Sequence, residues 1–203
     1  MIQGSKGHVF HAGMHHTEKD EYIMKIKREQ CLTLLIDDQV KLLPAIYESA
    51  LLLQNTKILL QGLRILEVPI QITQQYTKGL GMSDPSIFRY AETTDYLEKR
   101  TFSCWGEEGI RRTIQESGCR QIILAGIETH ICVLQTALDL LQNGYEVILV
   151  EDCVSSRKRS DKQTAIRRMI QEGVIVTSYE SLLFELMETS CYPRFKEISA
   201  LIK

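Results

Sequence analysis

Three side-chain types can together run covalent hydrolysis, and in this chain a thiol and a carboxylate stand just after strand-like runs while an ammonium lies within a less regular one. Cys132 falls in the opening turn of a helical pattern that begins directly after the apolar run 121–126 (QIILAG). Unpaired N–H groups and the helix dipole favour a thiolate there, and the same N–H groups can hold an oxyanion. A buried, inert core thiol is the competing reading, because Cys is among the most buried residue types. Asp37 ends the apolar run 31–36 (CLTLLI). A carboxylate in such a place must be paired or open to a cleft, which is where a general base belongs. Asp38 competes for that role, and strand alternation puts Asp37 and Gln39 on one face; the competing use of either Asp is a helix N-cap. Lys99 lies in the charge run Glu98-Lys99-Arg100, which reads as solvated. Turned inward, its ammonium would stabilise both the Asp37 carboxylate and the Cys132 thiolate.

The elements that must position these groups alternate between short apolar runs and longer helical patterns. Strands are predicted over 31–36, 68–73, 121–126, 145–150 and 173–177, with a less regular strand-like piece over 95–102. Helices are predicted over 47–66, 107–117, 129–143, 161–172, 181–188 and 195–202, with a short docked helix over 22–28. Gly118, Gly144 and Gly173 each stop a helix just before a strand, as αβ loops require. Repeated βα units imply a mostly parallel sheet of about six strands with helices on both faces, a three-layer αβα Rossmann-like fold. Ligands of such sheets sit at the carboxyl ends of the strands. Those ends carry Asp37-Asp38-Gln39, Gln74-Gln75-Tyr76, Ile127-Glu128-Thr129-His130 and Glu151-Asp152.

At 203 residues the chain is expected to form an N-terminal arm, 1–30, and one domain, 31–203. Its 44% hydrophobic and 25% charged residues are those of a globular protein, which excludes disordered and low-complexity classes. The net charge of -2 supplies no general field for phosphate backbones, so nucleic acid is not an expected partner. The one dense basic patch, Arg157-Lys158-Arg159 with Lys162, Arg167 and Arg168, reads as a solvated loop and helix face. No apolar run approaches the ~20 residues of a membrane span, and the N-terminus lacks the pattern of a targeting peptide, so a cytoplasmic protein is expected. The six cysteines lie far apart without a CxxC pair and read as reduced thiols. His8, His11, His15 and His16 crowd the arm, but no carboxylate or cysteine cluster partners them, so a tail is the better reading than a metal site.

The segment ILAGIETHICVLQTALDLLQNGYEVILVEDCVSS resembles the nucleophile region of the isochorismatase-like cysteine hydrolase superfamily. LLIDDQ resembles its first-strand D-x-Q motif, and EKRTFS matches the K-x-x-F-S segment of one branch. The three motifs come in the family's order over about 31–176. The resemblance implies a catalytic triad of Asp37, Lys99 and Cys132, and a non-proline cis peptide at Ile127-Glu128. That bend would aim the N–H groups of Glu128 and Cys132 at one point as an oxyanion hole. Nicotinamidases carry metal-binding aspartate and histidines after the second strand. This chain reads ITQQYTKGLG there, with Gln74, Gln75 and Tyr76, so neither metal nor other cofactor is expected. That stretch is similar to a branch of isochorismatase-domain proteins of which some carry a ribonuclease label. The implied activity is hydrolysis of a small amide or related C–N bond through a Cys132 thioester. Isochorismate-type vinyl ether hydrolysis, a catalytically idle binding protein on the same fold and RNA processing are the alternatives. The partner would be a small-molecule substrate, touched by Gln39, Gln75, Tyr76, Phe102, Trp105, Thr129 and His130. Phe102 and Trp105 could equally serve as core or interface aromatics, and His130 as a helix-start polar group. Relatives are commonly dimers or higher, which implies a homo-oligomer.

Overall fold

The computed structural model describes residues 24–203; the arm histidines and the start of the helix expected over 22–28 lie outside the described residues. A six-stranded, wholly parallel sheet runs in the order β3-β2-β1-β4-β5-β6. Its strands are β1 (Cys31–Ile36), β2 (Ile70–Gln75), β3 (Leu97–Lys99), β4 (Gln121–Ile127), β5 (Glu146–Ser155) and β6 (Ile175–Thr177). β1 and β4, buried along their whole length, are adjacent and lie in the middle. The chain winds outward from β1 to β3 on one side and from β4 to β6 on the other, so the crevice of the fold opens between the carboxyl ends of β1 and β4.

Strand pleating divides the core. Cys31 and Leu35 of β1 join Leu59, Leu60 and Leu63 of α1 (Ser49–Ile65), and Ile87 comes from α3 (Pro85–Ala91), which follows the short α2 (Thr77–Leu80). Leu182, Leu183 and Leu186 of α7 (Tyr179–Met187) and Ile198 of α8 (Phe195–Ile202) complete that layer. Leu32, Leu34 and Ile36 face the other way, against Ile110 of α4 (Glu108–Glu116), Ala137 of α5 (Leu134–Gln142) and Ile166 of α6 (Arg159–Gln171). The three-layer αβα expectation is met. Gly118, Gly144 and Gly173 all have positive φ after α4, α5 and α6, the left-handed stop that a Cβ would strain.

Three sequence expectations change. Residues 24–27 are not helical; Ile26 N–H donates to Glu185 and Lys27 N–H to Gln121, so this piece is a strap tied to α7 and β4 before a 3-10 turn, Arg28–Gln30. β5 does not end at Val150. A register shift opposite Ala125 carries it on to Ser155, so Glu151 and Asp152 sit within the strand, Asp152 accepting the Tyr179 N–H at 2.9 Å. The 95–102 piece supplies only a three-residue strand, β3, whose pairing with Gln75 brings Lys99 to the sheet's carboxyl edge. No helix among the described residues is long and apolar enough to cross a membrane.

Candidate active site

Asp37 stands one residue beyond β1 with φ +57, so strand alternation stops at Ile36 and a turn, not the pleat, sets where residues 37 to 39 point. Its carboxylate accepts from the Thr73 hydroxyl at 3.0 Å and from Lys99 Nζ at 2.6 Å. Lys99 is fully buried, and the rest of its donor capacity goes to Gln75 Oε1 at 2.7 Å and the Phe102 carbonyl at 3.1 Å. A buried ammonium so surrounded is satisfied only as a cation. Burial opposes that charge, but the facing Asp37, Cys104 and Cys132 outweigh it, and the Lys99 pKa is raised.

Cys132 lies in a wide π turn, Thr129–Val133, inserted between β4 and α5. The residues on either side of it, Ile131 and Val133, both donate to the Glu128 carbonyl, at 3.0 and 3.3 Å. The Ile127-Glu128 peptide is cis. Burial first, then the charge and hydrogen bonding of Asp37, push the Cys132 thiol up to about 12, while Lys99 pulls it down. The helix start therefore does not supply a standing thiolate: Cys132 carries its proton at neutral pH, and Asp37 is the acceptor beside it. The exposed thiol is Cys191.

Asp38 separates from its neighbour. It is buried with neither carboxyl oxygen hydrogen-bonded among the described residues. Burial, then the charges of Asp37 and Asp84, raise its pKa well above the ordinary value of 3.8. Only Asp37 holds the lysine, so only Asp37 is equipped as a base. The linkage has a definite sign. As pH climbs above 3.8 the unfolded chain releases the Asp38 proton and the folded chain keeps it, so the wild type loses stability relative to an uncharged variant by up to ~1.4 kcal/mol per pH unit, until the folded pKa is reached. Asp38→Asn is expected to match the wild type near pH 4 and exceed it at pH 7; urea midpoints at both pH values check this, and equal gaps would remove Asp38 as a neutral acid.

The other expected contacts divide. Gln75 touches the site directly, as the acceptor of Lys99. Phe102 and Tyr76 are exposed beside it, the Tyr76 ring lying 4.0 Å beneath the Arg100 guanidinium. The buried Thr129 hydroxyl has no protein partner among the described residues. Gln39 instead spends its amide on main chain, donating to Gln75 and Gly81 carbonyls and accepting from Gln75 N–H at 2.7 Å, so it braces the β2 loop. The Trp105 ring packs on Tyr145, meeting it edge-on at 5.5 Å. His130 faces Ser156, with Nδ1 2.9 Å from its hydroxyl. Gln74 is held by Ser83 and Thr77, and no cluster of three or more His, Cys, Asp or Glu that could hold a metal occurs among the described residues.

The pattern missed Thr73, Cys104, Gly126, Ser156 and Arg157. Thr73 orients Asp37; Cys104 lies in the same core, its thiol pushed up to about 11 by burial against the pull of Lys99. Only Gly126, in the AGIETH stretch, had a local signal, a glycine inside a buried strand.

Residues 31–181 match the isochorismatase domain. Over 181 residues the chain is 37% identical to isochorismatase domain-containing protein 2 of Danio rerio, covering 89% of this chain and 90% of that protein. It is 39% identical over 167 residues to isochorismatase domain-containing protein 1 of Salmo salar, covering 82% of this chain but only 59% of that protein. Among solved structures, that of MAR1 ribonuclease from Caenorhabditis elegans is similar at TM-score 0.83 and 35% identity, over 88% of this chain and 92% of that one.

Proposed function

The chain belongs to the isochorismatase family, and from that premise we propose that it is a cysteine hydrolase that opens a small amide or related C–N bond through a thioester on Cys132. The observation that carries this is the buried Lys99–Asp37 pair acting on the Cys132 thiol. A thiol beside a carboxylate that is ion-paired to a buried lysine is a nucleophile paired with its base. The Cys132 proton passes to Asp37 as Sγ bonds to the substrate carbonyl carbon, and the Glu128 and Cys132 N–H groups hold the oxyanion. Collapse breaks the C–N bond, with Asp37 returning the proton to the departing amine. Water then attacks the thioester, giving its proton to Asp37, and the acid leaves as Cys132 regains a proton. Lys99 stays charged throughout, which keeps the buried carboxylate available as a base. Gln75, Tyr76, Phe102 and Thr129 are the residues assigned to substrate contact. No metal or other cofactor takes part in these steps. A nucleophilic thiol must stay reduced, and a cytosolic setting, the one proposed here, supports that.

Incubation with a panel of primary amides and ureides, with isochorismate and RNA beside them, tests the reading by intact mass and product analysis. The expected result is a mass increase equal to one acyl group, absent from Cys132→Ser, with release of the amine. Isochorismate turnover surviving in Cys132→Ser would favour vinyl ether chemistry instead, and RNA cleavage would favour the activity named for the Caenorhabditis elegans protein.

A further inference from the structure

The loop between β5 and α6 grips the start of the nucleophile turn at two points. Glu128, whose carboxylate is only 11% exposed, accepts through one oxygen from the Arg157 main-chain N–H and from Arg157 Nε, both at 3.1 Å. Two residues further along the turn, His130 Nδ1 lies 2.9 Å from the hydroxyl of the fully buried Ser156, and its Nε2 lies 3.9 Å from Asp161 at the start of α6. The loop is itself fixed. Ser156 carbonyl accepts the Tyr47 N–H at 2.9 Å, and Ser155 Oγ donates to the Tyr47 carbonyl at 2.7 Å. The two grips bracket Thr129, and Cys132 follows two residues beyond His130.

We propose that residues Ser155–Arg157 are a clamp that sets the oxyanion-binding peptide, and that Arg157 is a positioning residue for acyl transfer, acting through Glu128. This rests on Cys132 being the acyl acceptor. Arg157 makes no hydrogen bond to Cys132 or Asp37 among the described residues; it fixes the side chain of the residue whose N–H the proposed mechanism assigns to the oxyanion. A displaced oxyanion donor slows attack on a carbonyl, whereas alkylation by iodoacetamide builds no oxyanion and needs only the thiol and its base. The two reactions therefore separate a positioning role from a structural one.

The experiment uses p-nitrophenyl acetate as acyl donor, with p-nitrophenolate release and the acetylated Cys132 peptide as readouts, beside the pH profile of iodoacetamide labelling of that peptide. Arg157→Gln is expected to acylate about 10- to 100-fold more slowly, with a labelling profile that overlaps the wild type. Glu128→Gln should behave alike, and the double variant should lose no more than either single one, because both cut the same link. Arg157→Lys, which keeps the charge but not the fork, should recover part of the rate. Equal acylation in the wild type and Arg157→Gln would overturn the clamp. A parallel fall in acylation and labelling would also overturn it, by showing a general structural loss. No acetylation of Cys132 in the wild type would fell the nucleophile reading first, and the clamp with it.

Discussion

Lys99→Met is expected to lose acyl transfer at Cys132 and about 3–5 kcal/mol of stability, the cost of stranding one partner of a buried ion pair. Lys99 has no exposed surface, and Asp37, Gln75 and the Phe102 carbonyl all turn polar atoms toward its ammonium. Methionine fills the space and leaves those acceptors without a donor. The thiol responds with a fixed sign: Lys99 lowers the Cys132 pKa, so its removal moves the alkylation profile to higher pH. Adding Asp37→Asn to Lys99→Met removes the stranded charge and should restore most of the stability while leaving acyl transfer absent. Urea denaturation of the two single variants and the double variant decides the matter. A Lys99→Met loss under 1 kcal/mol, or strictly additive losses, would show that the pair does not hold the site.

Gly126→Ala carries the largest expected effect on the fold. Gly126 has φ +108, and a Cβ there would overlap the carbonyl oxygen of Ile36 in the neighbouring strand. Neither backbone can yield cheaply, because β1 and β4 are the two central strands and are paired through Ile36 and Gly126 themselves. The overlap and the left-handed backbone together should cost about 4 kcal/mol or more, a large share of the roughly 5–15 kcal/mol of a typical domain. The variant is expected to be largely insoluble, with any soluble fraction unfolding at much lower urea and failing to acylate. By contrast Gly144→Ala, where a Cβ meets nothing within 4 Å, should show only the strain of its φ of +82. Similar midpoints for the two variants would refute the close approach of the strands.

Much of this architecture is legible without coordinates, for a physical reason. Periodicity and turn chemistry are local properties, and β1 and α8 begin and end where the pattern of apolar residues puts them. The order of βα units then fixes the carboxyl edge as the place for chemistry, and the motif residues Asp37, Lys99 and Cys132 lie along it. Tertiary structure decided what local pattern does not encode. Asp37 and Asp38 are equivalent in sequence, yet a partner 62 residues away takes one and leaves the other without a hydrogen bond. Glu98-Lys99-Arg100 reads as a solvated run, and a three-residue strand turns its middle member inward. Gln39, Trp105 and His130 have the right residue types for substrate contact, but each is committed to a partner that only the packed fold brings near: the β2 loop, Tyr145 and Ser156. Arg157 looks like one of several basic surface residues, and the register shift that extends β5 delivers it to Glu128. Sequence determines which segments become strands and helices because neighbours along the chain suffice for that; which side chain becomes a base, a brace or a clamp depends on distances that exist only after the sheet has closed.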